Sequence, residues 1–169
     1  MLTTLLILSG VAEATTPLAR PKPTAEQRAV YDALKVRDSG PSCEELASLS
    51  QDIATDLIWI IDHATQPPWA GIRAARCILT DHLEDKATDV DAWVVDPKKK
   101  GLALLTLSML DDVPETAAVR FATLALDGPL AEDARARLVD SVHPAVANLA
   151  APAAVPVAPH EPKADIVED

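Results

Sequence analysis

Between positions 24 and 149, apolar residues recur at helical spacing rather than in alternation. Ala29, Val30, Ala33 and Leu34 form one stripe, predicting a helix from Ala25 to about Arg37. Thr24-Ala25-Glu26-Gln27 precedes it as a capping box, in which hydroxyl and amide satisfy exposed backbone N–H groups. Gly40 is placed to end this helix. Ser42-Cys43-Glu44-Glu45 is a second capping box, followed by Leu46 and Leu49. Ile53, Leu57, Ile60, Ile61 and Ala64 continue the spacing, and Ala54 and Ile58 widen the buried face. The pattern leaves open whether this helix bends near Ser50-Gln51-Asp52 or runs straight to Ala64. No segment alternates as a strand would, so the predicted fold is all-α.

Prolines punctuate the remainder. A proline fits the first turn of a helix, where N–H groups have no internal partner, so Pro67-Pro68 predicts a helix reaching Leu79 or Thr80. Asp81 to Asp91 is polar and acidic and reads as a connection, with a short helical turn over Val90 to Val95 centred on Trp93. Asp96-Pro97 opens a helix to Leu110, with Leu102, Leu105 and Met109 inward and Leu107 and Leu110 beside them. Its first turn carries Lys98-Lys99-Lys100 at the positive end of the helix dipole, unfavourable by about some tenths of a kcal/mol per charge. Asp112-Val113-Pro114 opens the next helix, through Leu126. Gly128-Pro129 leads into another to about Val139, and a last short one follows Pro144.

Two of these helices are near copies, 47 positions apart. The stretches Pro67 to Leu79 and Pro114 to Leu126 share Pro, Ala, Arg, Ala and Leu at the same offsets, and Ile72 matches Val119. From Ser42 to Val139 the chain resembles HEAT-type repeats, the helical hairpins of alpha-solenoids. The likeness is clearest from Leu110-Asp111-Asp112-Val113-Pro114 through Arg120-Phe121-Ala122. It implies a short array of antiparallel helical hairpins, with a compact helical bundle as the alternative. It further implies structural roles for Pro67, Pro114, Arg73 and Arg120. The arginines would bond to Asp62 and to Asp111 or Asp112. Such arrays usually bind rather than catalyse.

Composition narrows the picture. Hydrophobic residues make up 49% of the 169 positions but aromatics only 3%, so the core must be Ala, Leu, Ile and Val in closely packed helices. The net charge of −11 argues against a nucleic-acid groove, which needs a basic surface, and against docking on anionic membranes.

The ends differ from the middle. Leu2 to Ala12 is an apolar run followed by Ala12-Glu13-Ala14, so residues 1–14 read as a secretory signal peptide, although no Lys or Arg precedes the run. The run is too short to span a bilayer. Residues 15–23 read as an extended leader, 24–149 as the helical domain and 150–169 as a disordered Pro/Ala/acidic tail. A periplasmic or secreted location favours a disulfide between Cys43 and Cys77. Closing a loop of about 35 residues would contribute about 3–4 kcal/mol.

Candidate chemistry is sparse. Asp62-His63 and Asp81-His82 are matching pairs at predicted helix ends and offer nitrogen and oxygen ligands, so a metal-binding or hydrolytic protein using His63 and His82 is the alternative function. His143 at a turn and His160 in the tail read as bystanders. Neither G-x-S-x-G nor a glycine-rich phosphate loop is present. The expected function is therefore non-catalytic binding or scaffolding of a protein partner. No cofactor, nucleic-acid partner or stable membrane insertion is expected. Trp69, in the double-proline turn, and Trp93, beside the acidic connection, are the expected partner anchors. Trp59 lies on a stripe that is apolar nearly all round and is expected in the core.

Overall fold

The computed structural model describes residues 21–151. The expected signal peptide, most of the leader and nearly all of the tail lie outside these residues. Every regular element described is helical: α1 (Ala25–Leu34), α2 (Cys43–Ala47), α3 (Ile53–His63), α4 (Pro68–Asp81), α5 (Leu83–Val95), α6 (Lys100–Ser108), α7 (Glu115–Leu126), α8 (Ala131–Leu138) and α9 (Pro144–Ala150). Short 3-10 turns, Pro97–Lys99 and Leu110–Asp112, flank α6.

Local chemistry sets the starts. At Thr24 and Ser42 both halves of each capping box form. Asp52 caps α3 by accepting from the Thr55 N–H at 3.1 Å. The chain does bend between α2 and α3, where the Ser50 hydroxyl donates to the buried Asp56 carboxylate at 2.7 Å. Satisfying that carboxylate keeps a charged residue tolerable on an inward face.

The clearest departure from the sequence expectation is α5, which occupies most of the stretch expected to be a connection. Leu83, Val90, Trp93 and Val94 share its buried side, and that apolar stripe outweighs the acidic residues around it. Glu84 and Asp85 sit in its first turn, where the dipole favours negative charge. The helix kinks at Lys86, whose backbone leaves helical angles. In α6 the buried side is Ala103, Thr106 and Leu107, while Leu102 and Leu105 are half-buried. The helix also stops short of Leu110, because Met109 leaves helical geometry.

From α3 onward consecutive helices pack against one another, α3 against α4 most extensively. Alternate helices also touch: α1 with α3, α3 with α5, α5 with α7, α7 with α9, and likewise α4 with α6 and α6 with α8. Odd and even helices thus form two adjoining layers. The near-copies are α4 and α7, with two helices between them, so they lie in opposite layers. They share a packing code: a proline-marked start and fully buried alanines, Ala70, Ala74 and Ala75 in one, Ala118, Ala122 and Ala125 in the other. Alanine lets helices approach closely without losing side-chain entropy.

Cys43 and Cys77 are bridged, with Cα atoms 5.4 Å apart, tying α2 to α4. None of the helices described is long and apolar enough to cross a membrane.

Candidate functional site

The residues singled out in the sequence go to different places. Trp93, an expected anchor, is only 1% exposed and fills the core beside Val90 and Val94. That expectation fails because α5 is a full helix whose apolar side turns Trp93 inward. Trp69 is half-buried, and its indole N–H donates to the Lys35 carbonyl at 3.2 Å. It holds the end of α1.

Arg73 works beside it. Its guanidinium donates to the carbonyls of Leu34 (3.2 Å), Val36 and Arg37 (2.9 Å). These are carbonyls at and just beyond the C-terminus of α1, where helices leave acceptors unpaired and the dipole is negative. The planar fork of arginine suits several acceptors at once. The expected partner, Asp62, instead pairs with Lys99 at 2.8 Å. Arg120 binds the Asp91 carboxylate rather than Asp111 or Asp112. Asp111 accepts from the Ser141 hydroxyl at 2.9 Å and the Val142 N–H at 3.2 Å, fastening the turn before α9. Gly40 matters for space, not for backbone freedom. No glycine described has positive φ, and a Cβ at Gly40 would stand 2.6 Å from the Arg73 guanidinium.

His63 and His82 are not brought together. They follow opposite ends of an antiparallel pair, and α4 alone, with 14 residues, spans about 20 Å. His63 shares Nδ1 with the Trp59 carbonyl at 2.9 Å, whereas His82 faces a different cleft. No cluster of three or more His, Cys, Asp or Glu with metal-binding geometry occurs among the described residues.

Two clefts stand out. The larger, about 710 Å³, lies between the α4–α5 junction and the start of α7. Asp81, His82, Glu84, Asp85, Asp112 and Arg120 supply its polar wall. The smaller, about 340 Å³, lies between α1 and α3 and is lined by Pro23, Tyr31, Trp59 and His63, with Arg28 and Asp32 also on its wall. Trp59, expected in the core, is half-buried and stacks on His63 at 4.9 Å between ring centres, 17° from parallel. Tyr31 donates its hydroxyl to the Gln66 carbonyl, which fixes its ring, and Lys35 Nζ stands 4.9 Å from that ring's centre. The sequence carried a signal for this cleft. Trp59 and His63 are four apart on one helix, and Tyr31 falls off the apolar stripe of α1.

Hydrogen bonds and charge tune three carboxyls. Bonds from the Ser42 backbone and hydroxyl hold Glu45 below the usual carboxylate range. The Thr55 side chain and backbone do so for Asp52, helped by the charges of Lys86 and His82. Asp133 is lowered by Lys100, bonded to it at 2.7 Å. All are structural ties outside the two clefts, so none marks a catalytic acid or base.

Compared with protein-family models, curated proteins and solved structures, the chain finds no match.

Proposed function

We propose that the chain is an exported, non-catalytic helical-repeat module that binds a protein partner through the α1–α3 cleft. One observation carries this reading: the half-buried rings of Tyr31, Trp59 and His63 line one 340 Å³ cleft. A ring already stiffened by stacking or hydrogen bonding loses little freedom when a partner covers it, and such rings dominate binding energy at interfaces. The contacts between alternate helices suit a stacked array, although the near-copies α4 and α7 fall in different layers of it. The bridge between Cys43 and Cys77 supports export, since disulfides persist in oxidising compartments.

Site-specific photocrosslinking tests the reading. A crosslinking amino acid at Thr65, on the cleft wall, should capture a discrete protein in the native cell envelope or medium. One at Glu132, exposed on α8, should not. Trp59→Ala should abolish the Thr65 product while leaving the unfolding transition cooperative. Equal capture from both positions, or capture indifferent to Trp59→Ala, removes the proposal.

A further inference from the structure

We infer that the α1–α3 cleft takes a proline-rich, acidic segment of its partner protein, with proline on the rings of Tyr31 and Trp59 and a carboxylate on Arg28. The inference rests on reading that cleft as a docking site, and it names the chemistry of what docks there.

The polar groups of the cleft divide by kind. Three acceptors are already engaged. The Trp59 carbonyl accepts from His63 Nδ1 at 2.9 Å, the Gln66 carbonyl accepts from the Tyr31 hydroxyl, and the Asp32 carboxylate pairs with Lys35 at 2.6 Å. Arg28 is a donor left open. It is exposed on the cleft wall, with no carboxylate at ion-pair distance among the described residues. Lys35 also stands over the Tyr31 ring, so two cations meet one carboxylate on this side of α1. In a chain of net charge −11, this is a place that favours an acidic occupant.

A ligand for such a site brings acceptors and few donors. Proline does so, because its nitrogen carries no hydrogen. A polyproline segment makes no internal hydrogen bonds and is already extended, so it loses little freedom on docking. Aromatic-lined grooves receive such segments. Trp59, stacked on His63, and Tyr31, tied to Gln66, are ring surfaces held in place for that purpose. The spacing agrees. Arg28 and Tyr31 are three apart on α1, about 4.5 Å along its axis. Each polyproline residue advances about 3.1 Å. A carboxylate one or two residues from the proline on Tyr31 therefore reaches the guanidinium.

The test uses the full chain and the indole N–H resonances of its three tryptophans, with Trp59 assigned by its loss in Trp59→Phe. The synthetic peptide acetyl-Pro-Pro-Pro-Pro-Glu-amide should shift the Trp59 resonance saturably and leave those of Trp69 and Trp93 in place. Its analogue ending in lysine should bind about two- to fivefold more weakly, as should the glutamate peptide to Arg28→Gln, the scale of an exposed ion pair. Arg28→Glu should reverse the preference in favour of the lysine peptide. Alanine in place of the prolines should weaken binding by about tenfold. Equal binding of the glutamate and lysine peptides, or of the proline and alanine peptides, overturns the inference. So does a Trp59 resonance that answers only to cellobiose, which assigns the rings to a sugar, or one that depends on protein concentration, which assigns the cleft to a second copy. Capture from Thr65 that persists while no peptide moves Trp59 sinks this partner chemistry alone. Loss of both sinks the docking site as well.

Discussion

Arg73 and Arg120 hold the same place in two near-identical stretches, yet their surroundings give them unequal weight. Arg73 satisfies three backbone carbonyls at the end of α1, while Arg120 makes one ion pair with its own side chain half exposed. Hydrogen bonds to charged groups contribute about 1.5–3 kcal/mol, less where they are exposed as at Val36 and Arg37, whereas half-exposed ion pairs are worth about 0–1 kcal/mol. Arg73→Met should therefore lower unfolding stability by about 1–3 kcal/mol and Arg120→Met by less than about 1 kcal/mol, read from urea titrations. Equal losses would show that the carbonyl contacts carry no special weight. Gly40→Ala should produce part of the Arg73→Met loss, because its Cβ pushes into the guanidinium. The resemblance to helical repeats implied Asp62 and Asp111 or Asp112 as partners of these arginines, and the acceptors found are others. A carbonyl leaves no mark in a sequence, so a search for partners finds only the aspartates.

Elements were legible where a local rule decides them. The boxes at Thr24 and Ser42 and the prolines opening α4 and α9 are read from a few adjacent residues, and they hold. The cap of α3 illustrates how such a tie depends on pH. Asp52 is held below its ordinary pKa in the folded chain, so its contribution is complete above about pH 4 and fades as pH falls through the lowered folded value. Asp52→Asn keeps an acceptor for Thr55 and removes the titration. Urea midpoints of this variant should fall less than those of the parent across that acidic range; parallel curves would contradict the assignment. α5 was illegible for the opposite reason. Its helical state is decided by Leu83, Val90, Trp93 and Val94 meeting other helices, a tertiary effect that outweighs the acidic sequence around them. The buried side of α6 was read only in part: Leu107, Met109 and Leu110 are buried, but Leu102 and Leu105 are half-buried, since leucines on nearly every side leave the inward face to be chosen by neighbours.

At the scale of the whole molecule, the all-helical class was readable from periodicity alone, while the 47-residue interval was a poor guide to architecture. It matched two helices in opposite layers, because an alanine-rich packing code recurs wherever helices approach closely. The i, i+4 pair of Trp59 and His63 was visible in the sequence, but the cleft as a whole was not, because Tyr31 and Trp59 lie on separate helices and only the contact of α1 with α3 brings them together. The bridge joins α2 to α4, but α1 is held to α4 independently by Trp69 and Arg73. Reducing Cys43–Cys77 should therefore cost about 3–4 kcal/mol of global stability yet leave the Trp59 environment native at low denaturant. Tryptophan resonances and urea titrations with and without reductant check this. A Trp59 signal that collapses on reduction alone would mean the bridge, not the clamp, holds the cleft.

The clamp on the end of α1 has a further consequence wherever the chain meets a protease. Lys35 and Arg37 are exposed basic residues in the strap between α1 and α2, the residue types after which trypsin-like proteases cut. The carbonyls such an enzyme would attack are the ones already engaged, Lys35 by the Trp69 indole and Arg37 by the Arg73 guanidinium. Cleavage at either site would require its own bond to open and the strap to extend. Side chains that look like bait are thus attached to peptide bonds withheld from attack, and the strap is guarded by α4 rather than by burial.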